Sequence, residues 1–179
     1  MPAIEIRPAM LVDLPVLVGI EHSFDTSFTW QMDRNMDAGQ VMISFREIRL
    51  PRSVHVEYPR PLDFFGEDGF QNSIILTALW SGTPLGYLRL KEEMEPRTVL
   101  VKDLAVKKDV RRQGIASVLL LAAQDWAFQR SLKRVLIEVQ SKNVAAIHLA
   151  TKLGYEFCGY NDHYYANQDI ALFFARYLR

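Results

Sequence analysis

The stretch RRQGIAS, residues 111–117, combines residue types that suit an anion-binding site. Gly114 has no side chain to block an approaching phosphate, and Ala116 keeps a neighbouring position small. Arg111 and Arg112 add positive charge of the kind that suits a pyrophosphate. Apolar runs lie on both sides, so a strand should turn here into a helix whose first backbone N–H groups point outward. The pattern predicts a site for a diphosphate carried on a larger molecule.

Two common phosphate motifs are absent from this stretch. No Gly-Lys-Ser/Thr run follows, so it is not a P-loop, and the second and third glycines of a dinucleotide-binding fingerprint are missing. The competing interpretation is a solvated turn, in which Lys107, Lys108 and the two arginines face water and Gly114 merely starts a helix. The stretch alone leaves both interpretations open.

Two acids in apolar strands are candidates for proton transfer. Asp103 lies in VLVKDLAV, where strand alternation places it on one face with Val101 and Ala105, and Glu138 lies in RVLIEVQ. A charged side chain in such a strand is costly unless it is paired or solvated in a cleft. Each acid is therefore either functional, paired with a basic neighbour such as Arg134, or placed on a wet face.

The apolar periodicity of the N-terminal half predicts the first elements. Residues 4–8 alternate as a strand does, and residues 11–24 have helical spacing, with Pro15 near the helix start. From Ser23 to Gly69 the pattern weakens, which favours an irregular, partly mobile segment. SIILTALW and LGYLRL flank the turn residues SGTP, and TVLVKDLAV follows, so an antiparallel meander is expected.

The C-terminal half alternates helices with strands. GIASVLLLAAQDWAFQR has the length and apolar face of a helix, RVLIEVQ is typical of a buried strand, and NVAAIHLATKL predicts a second helix that ends before Gly154. The remaining residues read as two strands around a turn at Asn161 and Asp162. We expect one domain over residues 1–179.

The composition limits the classes of function. The 179 residues include 21 Lys and Arg and 21 Asp and Glu, so no net field attracts nucleic acid or an anionic membrane. Cys158 is the single cysteine, the start lacks the layout of a secretory signal, and no apolar run approaches the roughly 20 residues of a membrane span. We expect a cytoplasmic protein with no nucleic-acid or membrane partner and, from the scattered histidines, no metal site.

These residues resemble the GNAT superfamily of acetyl-CoA-dependent N-acetyltransferases. The superfamily signature, Arg or Gln, two residues, Gly, one residue, then Gly or Ala, is matched by Arg111, Gly114 and Ala116 after the strand ending LAV. A second family element begins at Asn143 in NVAAIHLATKLGY, with Ala146, Gly154 and Tyr155 at the family's spacing. The likeness covers roughly Ser73 to the C-terminus, and within the superfamily it is greatest to streptothricin acetyltransferases, which acetylate the β-lysine amine of a cationic antibiotic.

The resemblance implies an α/β (α+β) GNAT fold with a central mixed, mostly antiparallel sheet that splays between its fourth and fifth strands and is flanked by helices. Residues 23–69 would form a variable acceptor-side segment. The resemblance places the pantetheine of CoA along Leu104, Ala105 and Val106, with a backbone N–H there polarising the thioester carbonyl and Asn143 at the far end. It assigns the pyrophosphate to the backbone of Arg111, Arg112, Gln113, Gly114, Ile115, Ala116 and Ser117.

Acetyl transfer to an amine requires an acceptor for the amine's proton, because an ammonium of pKa near 10.4 is only about one part in 10³ to 10⁴ neutral at pH 7. Asp103 and Glu138 are the candidate bases. The family often supplies a Tyr, seven residues after its Asn, to protonate the departing thiolate, and Ala150 stands there in this sequence. Tyr165 is the candidate replacement, and the alternative is that its ring only packs on the core.

The predicted function is N-acetylation of a primary amine, with acetyl-CoA as co-substrate, by direct attack in a ternary complex. A small cationic molecule of the streptothricin type is the favoured acceptor. Protein N-termini, lysine side chains and a non-catalytic acyl-CoA-binding domain are the alternatives. The sequence leaves a homodimer open.

Overall fold

The computed structural model describes residues 4–93 and 97–179, which form nine strands, four α-helices and three short 3-10 turns. The strands are β1 (Glu5–Pro8), β2 (Phe24–Asp37), β3 (Gln40–Val56), β4 (Ile74–Trp80), β5 (Thr83–Glu93), β6 (Thr98–Val106), β7 (Arg134–Gln140), β8 (Glu156–Asn161) and β9 (Ala171–Tyr177). The helices are α1 (Leu14–Val18), α2 (Glu67–Gln71), α3 (Ile115–Gln129) and α4 (Val144–Lys152). The 3-10 turns are Leu11–Asp13, Asp63–Phe65 and Lys108–Val110.

A seven-stranded sheet in the order β1-β4-β5-β6-β7-β9-β8 forms the centre of the fold. Its neighbouring strands are antiparallel except β6 and β7, which are parallel and are joined through α3. A parallel pair needs such a crossover, whereas the antiparallel strands β4 and β5 need only the tight turn at Ser81 and Gly82. The predicted meander, the two helices and the mixed, mostly antiparallel sheet are confirmed.

Two apolar clusters cover the sheet. The larger one packs the buried side of α3 and α4 against the strands, with Leu119 and Ile147 fully buried. The smaller one joins α1 to the 3-10 turn Asp63–Phe65 and to Tyr87 of β5. In β4, β5 and β6, alternate side chains enter different clusters, which is why these three strands are apolar on both faces.

Residues 23–69 do not form the irregular segment that the sequence predicts. They contain a two-stranded antiparallel hairpin, β2 with β3, that turns at Gly39 with a positive φ of 78°. Most side chains of both strands are at least partly exposed. Such a hairpin does not carry the continuous apolar face on which a strand prediction depends.

The hairpin packs against the main sheet through residues in the middle of its strands. The backbone N–H of Trp30 donates to the carbonyl of Ser141 at 2.9 Å, and its ring meets Phe174 of β9 edge to face. Phe45 of β3 packs in the same way against Tyr160 of β8. These contacts supply the tertiary support that an isolated two-stranded hairpin lacks.

Two smaller expectations are also corrected. The chain between β8 and β9 is not a tight turn at Asn161 and Asp162, because β8 ends at Asn161 and β9 begins only at Ala171. In β5, Arg89 pairs with Asp103 of β6, but the next residue, Leu90, pairs with Val101. Lys102 of β6 is therefore an extra, bulged residue. This bulge puts Val101 in the larger apolar cluster and Ala105 in the smaller one, so the two do not share a face.

No helix among residues 4–93 and 97–179 is long and apolar enough to cross a bilayer.

We expect Leu119→Ala to lower the free energy of unfolding by about 2–5 kcal/mol, because it opens a cavity at a fully buried position between α3 and the sheet. Leu121 lies on the same helix with 47% of its surface exposed, so Leu121→Ala is the matched control and should change stability by less than about 0.5 kcal/mol. Urea denaturation measures both values. Equal losses in the two variants would contradict this account of the α3 interface.

Candidate active site

The parallel strands β6 and β7 part midway along their length. They pair from Thr98 with Arg134 to Val101 with Ile137, and the ladder stops there. Beyond that point β6 continues against β5 and β7 continues against β9, so the two strands diverge and the predicted splay is confirmed. A cavity of about 100 Å³ lies in the gap. Its lining includes Asp103, Leu104, Glu138, Asn143 and Tyr165.

The open edge of β6 presents backbone polar groups to this gap. Lys107 donates its N–H to Leu85 on the β5 side, and the alternation of a strand therefore directs the N–H groups of Leu104 and Val106 to the opposite side. The guanidinium of Arg111 donates to the carbonyl of Val106 at 2.9 Å. The edge therefore keeps donors at Leu104 and Val106 that could pair with an extended, amide-containing ligand.

The start of α3 forms an anion cradle. Arg112 and Gly114 have positive φ angles of 66° and 88°, and the first helical hydrogen bond runs from the N–H of Val118 to the carbonyl of Gly114. Within the described residues, the six backbone N–H groups of residues 112–117 donate to no protein acceptor. Together with the helix dipole, these donors favour a diphosphate.

The side chain of Arg111 does not extend freely toward this cradle. Besides the Val106 carbonyl, its guanidinium donates to the carbonyls of Glu21 at 2.5 Å and Ser23 at 3.2 Å. The side chain thus ties the loop before α3 to the segment that enters β2.

Five charged side chains meet at the base of the cleft. Asp103 accepts a hydrogen bond from Nε of Arg89 at 2.5 Å, and its other oxygen lies 3.5 Å from Nη1 of Arg60. Glu138 pairs with Arg60 and lies 3.3 Å from Nζ of Lys102. Neither acid pairs with Arg134, which donates instead to Thr98. Both carboxylates are fully buried and paired, which is the condition under which buried charges are tolerated.

Burial shifts the pKa values of this cluster in opposite directions for acids and bases. It raises the pKa of Asp103 to about 7. It lowers the pKa of Lys102 to about 8, with further lowering from Arg60 and Arg89. It also lowers the pKa of His22, which lines the same cleft. Groups that titrate near neutral pH can exchange protons during turnover.

The connection between β8 and β9 brings Tyr164 and Tyr165 to the cleft. Both donate their backbone N–H to the carbonyl of Asp169, whose carboxylate accepts from Lys142 at 2.5 Å and Gln140 at 3.2 Å. The hydroxyl of Tyr164 lies 3.3 Å from a carboxylate oxygen of Glu138. Burial raises the pKa of Tyr165 above the usual tyrosine range, so its hydroxyl stays protonated at pH 7.

Asn143 and Ala150 have different surroundings on α4. Asn143 is the N-cap, and its side-chain oxygen accepts the N–H of Ala146 at 3.1 Å beside the cleft. Ala150 is fully buried in the larger apolar cluster. The Ala150 side chain has no group that could donate a proton, so a tyrosine role would fall to a tyrosine that lines the cleft, such as Tyr165.

The structure brings Asp103, Glu138 and Tyr165 together, as the sequence analysis requires, but it adds residues that the analysis missed. Arg60, Arg89, Lys102, His22 and Tyr58 contact or line the cleft. Arg89 and Lys102 carried a usable signal, since each is a basic residue inside a predicted strand next to a predicted site. Tyr58 and Arg60 come from outside the predicted elements, and His22 comes from the end of the helix predicted over residues 11–24. Only tertiary structure joins them to the acids.

The comparisons with known proteins agree with this geometry. The model of the acetyltransferase (GNAT) family matches residues 42–155, and the chain therefore belongs to that family. A streptothricin acetyltransferase of Streptomyces lavendulae is 26% identical over 166 residues, which is 90% of this chain and 86% of that protein.

Two solved structures share the fold. The crystal structure of nourseothricin acetyltransferase matches with a TM-score of 0.83 at 20% identity and covers 99% of both chains. A crystal structure from Bacillus anthracis str. Ames, in complex with acetyl coenzyme A, matches with a TM-score of 0.78 at 22% identity and also covers 99% of both chains.

Family membership makes the chain an acetyl-CoA-dependent N-acetyltransferase. The described residues fit that co-substrate, because the free N–H groups at the start of α3 suit a diphosphate and the open edge of β6 suits a pantetheine amide.

We expect Gly114→Ala to weaken CoA binding about tenfold, equivalent to about 1.4 kcal/mol, because an alanine resists the left-handed conformation that exposes the cradle. Gly82→Ala is the matched control. Gly82 also has a positive φ, and a Cβ at either position would meet nothing within 4 Å. Both variants should lose similar stability, and only Gly114→Ala should change the Kd measured by calorimetry. An unchanged Kd would contradict the cradle.

Proposed function

We propose that this enzyme acetylates a primary amine of a small cationic molecule, such as a streptothricin-type antibiotic, by direct attack in a ternary complex. The observation that supports this proposal is that one cleft is lined by Leu104 of the open β6 edge and by two buried carboxylates, Asp103 and Glu138. The cradle at the start of α3 follows β6 directly in the chain. The relative from Streptomyces lavendulae, which aligns with 90% of the chain, supports the choice of acceptor.

The donor side binds the co-substrate through backbone groups. The N–H groups of residues 112–117 would hold the diphosphate of CoA, with the hydroxyl of Ser117 as a further donor. The N–H groups of Leu104 and Val106 would pair with the pantetheine arm, and one of them would polarise the thioester carbonyl. Asn143 would contact the far end of the arm. Acetyl-CoA supplies the activated acetyl group.

The acids would accept the proton of the acceptor's ammonium group, directly or through water. Asp103 is the better candidate for the base, because burial places its pKa at about 7, close to working pH. Glu138, bonded to Lys102 and Tyr164, would assist by attracting the cation. Tyr165 would protonate the departing thiolate, since its hydroxyl remains protonated at neutral pH and Ala150 offers no alternative.

Thiol release from acetyl-CoA, measured against a panel of amines, tests the acceptor. The panel contains streptothricin, free lysine, a polyamine, an aminoglycoside and peptides with free N-termini. We expect kcat/KM for streptothricin to exceed that of every other amine by at least about 10²-fold, or about 2.7 kcal/mol. Faster turnover of a peptide N-terminus or a lysine would reject the small-cation acceptor and favour a protein substrate.

The pH dependence of kcat/KM tests the proton-transfer roles. A carboxylate base is active only when deprotonated, so the rate should rise with pH through about 7. Asp103→Asn should remove this rise and lower kcat about 10²- to 10⁴-fold. Tyr165→Phe should lower kcat but leave the rise of kcat/KM with pH unchanged. Asp162→Asn, in the same β8–β9 connection, is the control and should keep the wild-type profile.

An unchanged profile in Asp103→Asn would refute the assignment of the base, and full turnover in Tyr165→Phe would refute the assignment of the acid.

A further inference from the structure

Arg60 occupies the centre of the charged cluster. Its guanidinium pairs with Glu138, lies 3.5 Å from Asp103 and donates to the carbonyl of Lys102. It also faces the ring of Tyr165, with 5.5 Å from the guanidinium carbon to the ring centroid. One resident cation therefore touches both acids and the tyrosine to which the proposed reaction assigns roles.

The cluster already holds more positive than negative charge. Three cationic side chains, Arg60, Arg89 and Lys102, surround two carboxylates, and none of the three is more than 20% exposed. An incoming ammonium would be a fourth cation beside two acids in a poorly solvated site. Buried charges are tolerated only when paired, so a cationic acceptor can reach the acids only if a resident cation moves away.

Arg89 and Lys102 are held by the sheet. Arg89 lies within β5, bonds Asp103 and stacks on Phe64 with 4.0 Å from its guanidinium carbon to the ring centroid. Lys102 lies within β6 at the bulge. Among the described residues, Arg89 pairs with Asp103 and Lys102 pairs with Glu138, so neither bridges both acids as Arg60 does.

Arg60 is held differently, since it lies in the connection of residues 57–62 between β3 and the following 3-10 turn. Its side chain can swing outward without breaking a strand. In the same connection, the hydroxyl of Tyr58 is buried and makes no hydrogen bond within the described residues, although it lines the cleft. A ligand in place of the Arg60 guanidinium would find this donor available.

We propose that Arg60 is a resident cation in the acceptor's binding subsite and determines specificity, because the acceptor must displace its guanidinium from Glu138 and Asp103. The inference rests on the proposed function. Displacement by an acceptor that carries several cationic groups preserves the pairing of both acids. A monoamine has one charge and few hydrogen-bond donors to replace those of the displaced Arg60 guanidinium. Arg60 therefore selects polycationic acceptors over simple amines.

The test uses methylguanidinium as a probe of the vacated subsite. Arg60→Ala should bind methylguanidinium with a Kd on the order of millimolar by calorimetry, whereas the wild type should show no binding. Arg46→Ala is the matched control, because Arg46 lies on the exposed hairpin and pairs with Asp33. In CoA-loaded Arg60→Ala, methylguanidinium should also compete with streptothricin for binding.

Lack of methylguanidinium binding, or binding without competition, would overturn the proposal and make Arg60 a fixed structural cation. Neither readout requires acetyl transfer. Competition in a protein that acetylates no amine would support the subsite while rejecting the proposed function.

A second readout uses initial rates on streptothricin and n-butylamine. Arg60→Ala should lower the KM for n-butylamine and reduce the preference for streptothricin in kcat/KM at least tenfold, and a preserved preference would count against the proposal. If Arg60→Ala does not fold, Arg60→Lys keeps the charge but loses the two-pronged pairing. Its KM for streptothricin should then fall at least threefold, and an unchanged or higher value would overturn the proposal.

Discussion

The separation of β6 from β7 after Val101 and Ile137 is the constraint on which the site depends. A parallel pair that stays hydrogen-bonded leaves no free edge, but strands that diverge expose backbone donors in the middle of a sheet. The fold can keep this opening because β6 retains β5 as a partner and β7 retains β9, so each strand remains paired on its other side. The opening therefore costs few hydrogen bonds and provides a binding edge flanked by rigid strands.

The same divergence explains why the cleft contains buried ions. Asp103 and Glu138 lie just beyond the last paired residues of the two strands, where a full ladder would otherwise hold apolar neighbours. Each carboxylate is paired with cationic side chains from β5, β6 and the connection after β3. Buried ion pairs add little net stability, so this cluster is a poor source of stability for the fold.

Much of the donor half could be predicted from sequence, because its signals are local. Gly114 between an apolar strand and an apolar helix is typical of a helix-start anion site, and the family signature favours this interpretation over a solvated turn. The hairpin was missed although Phe28, Trp30 and Met32 alternate and Gly39 allows a tight turn. Its polar, largely exposed strands resemble loop sequence, and the pairing energy that defines them comes from the partner strand. Arg60 could not be found by local reasoning, since its role depends on contacts with residues more than 40 positions away.

The bonds of Arg111 have a consequence for how this protein could change over evolutionary time. Its guanidinium joins the end of β6 to the segment that enters β2 through main-chain carbonyls at positions 21, 23 and 106. Every amino acid supplies such a carbonyl, so substitutions in the segment leading into β2 leave the hydrogen bonds of Arg111 intact. New acceptors could thus be recruited by altering one half of the chain while the machinery for the common acetyl donor is inherited unchanged.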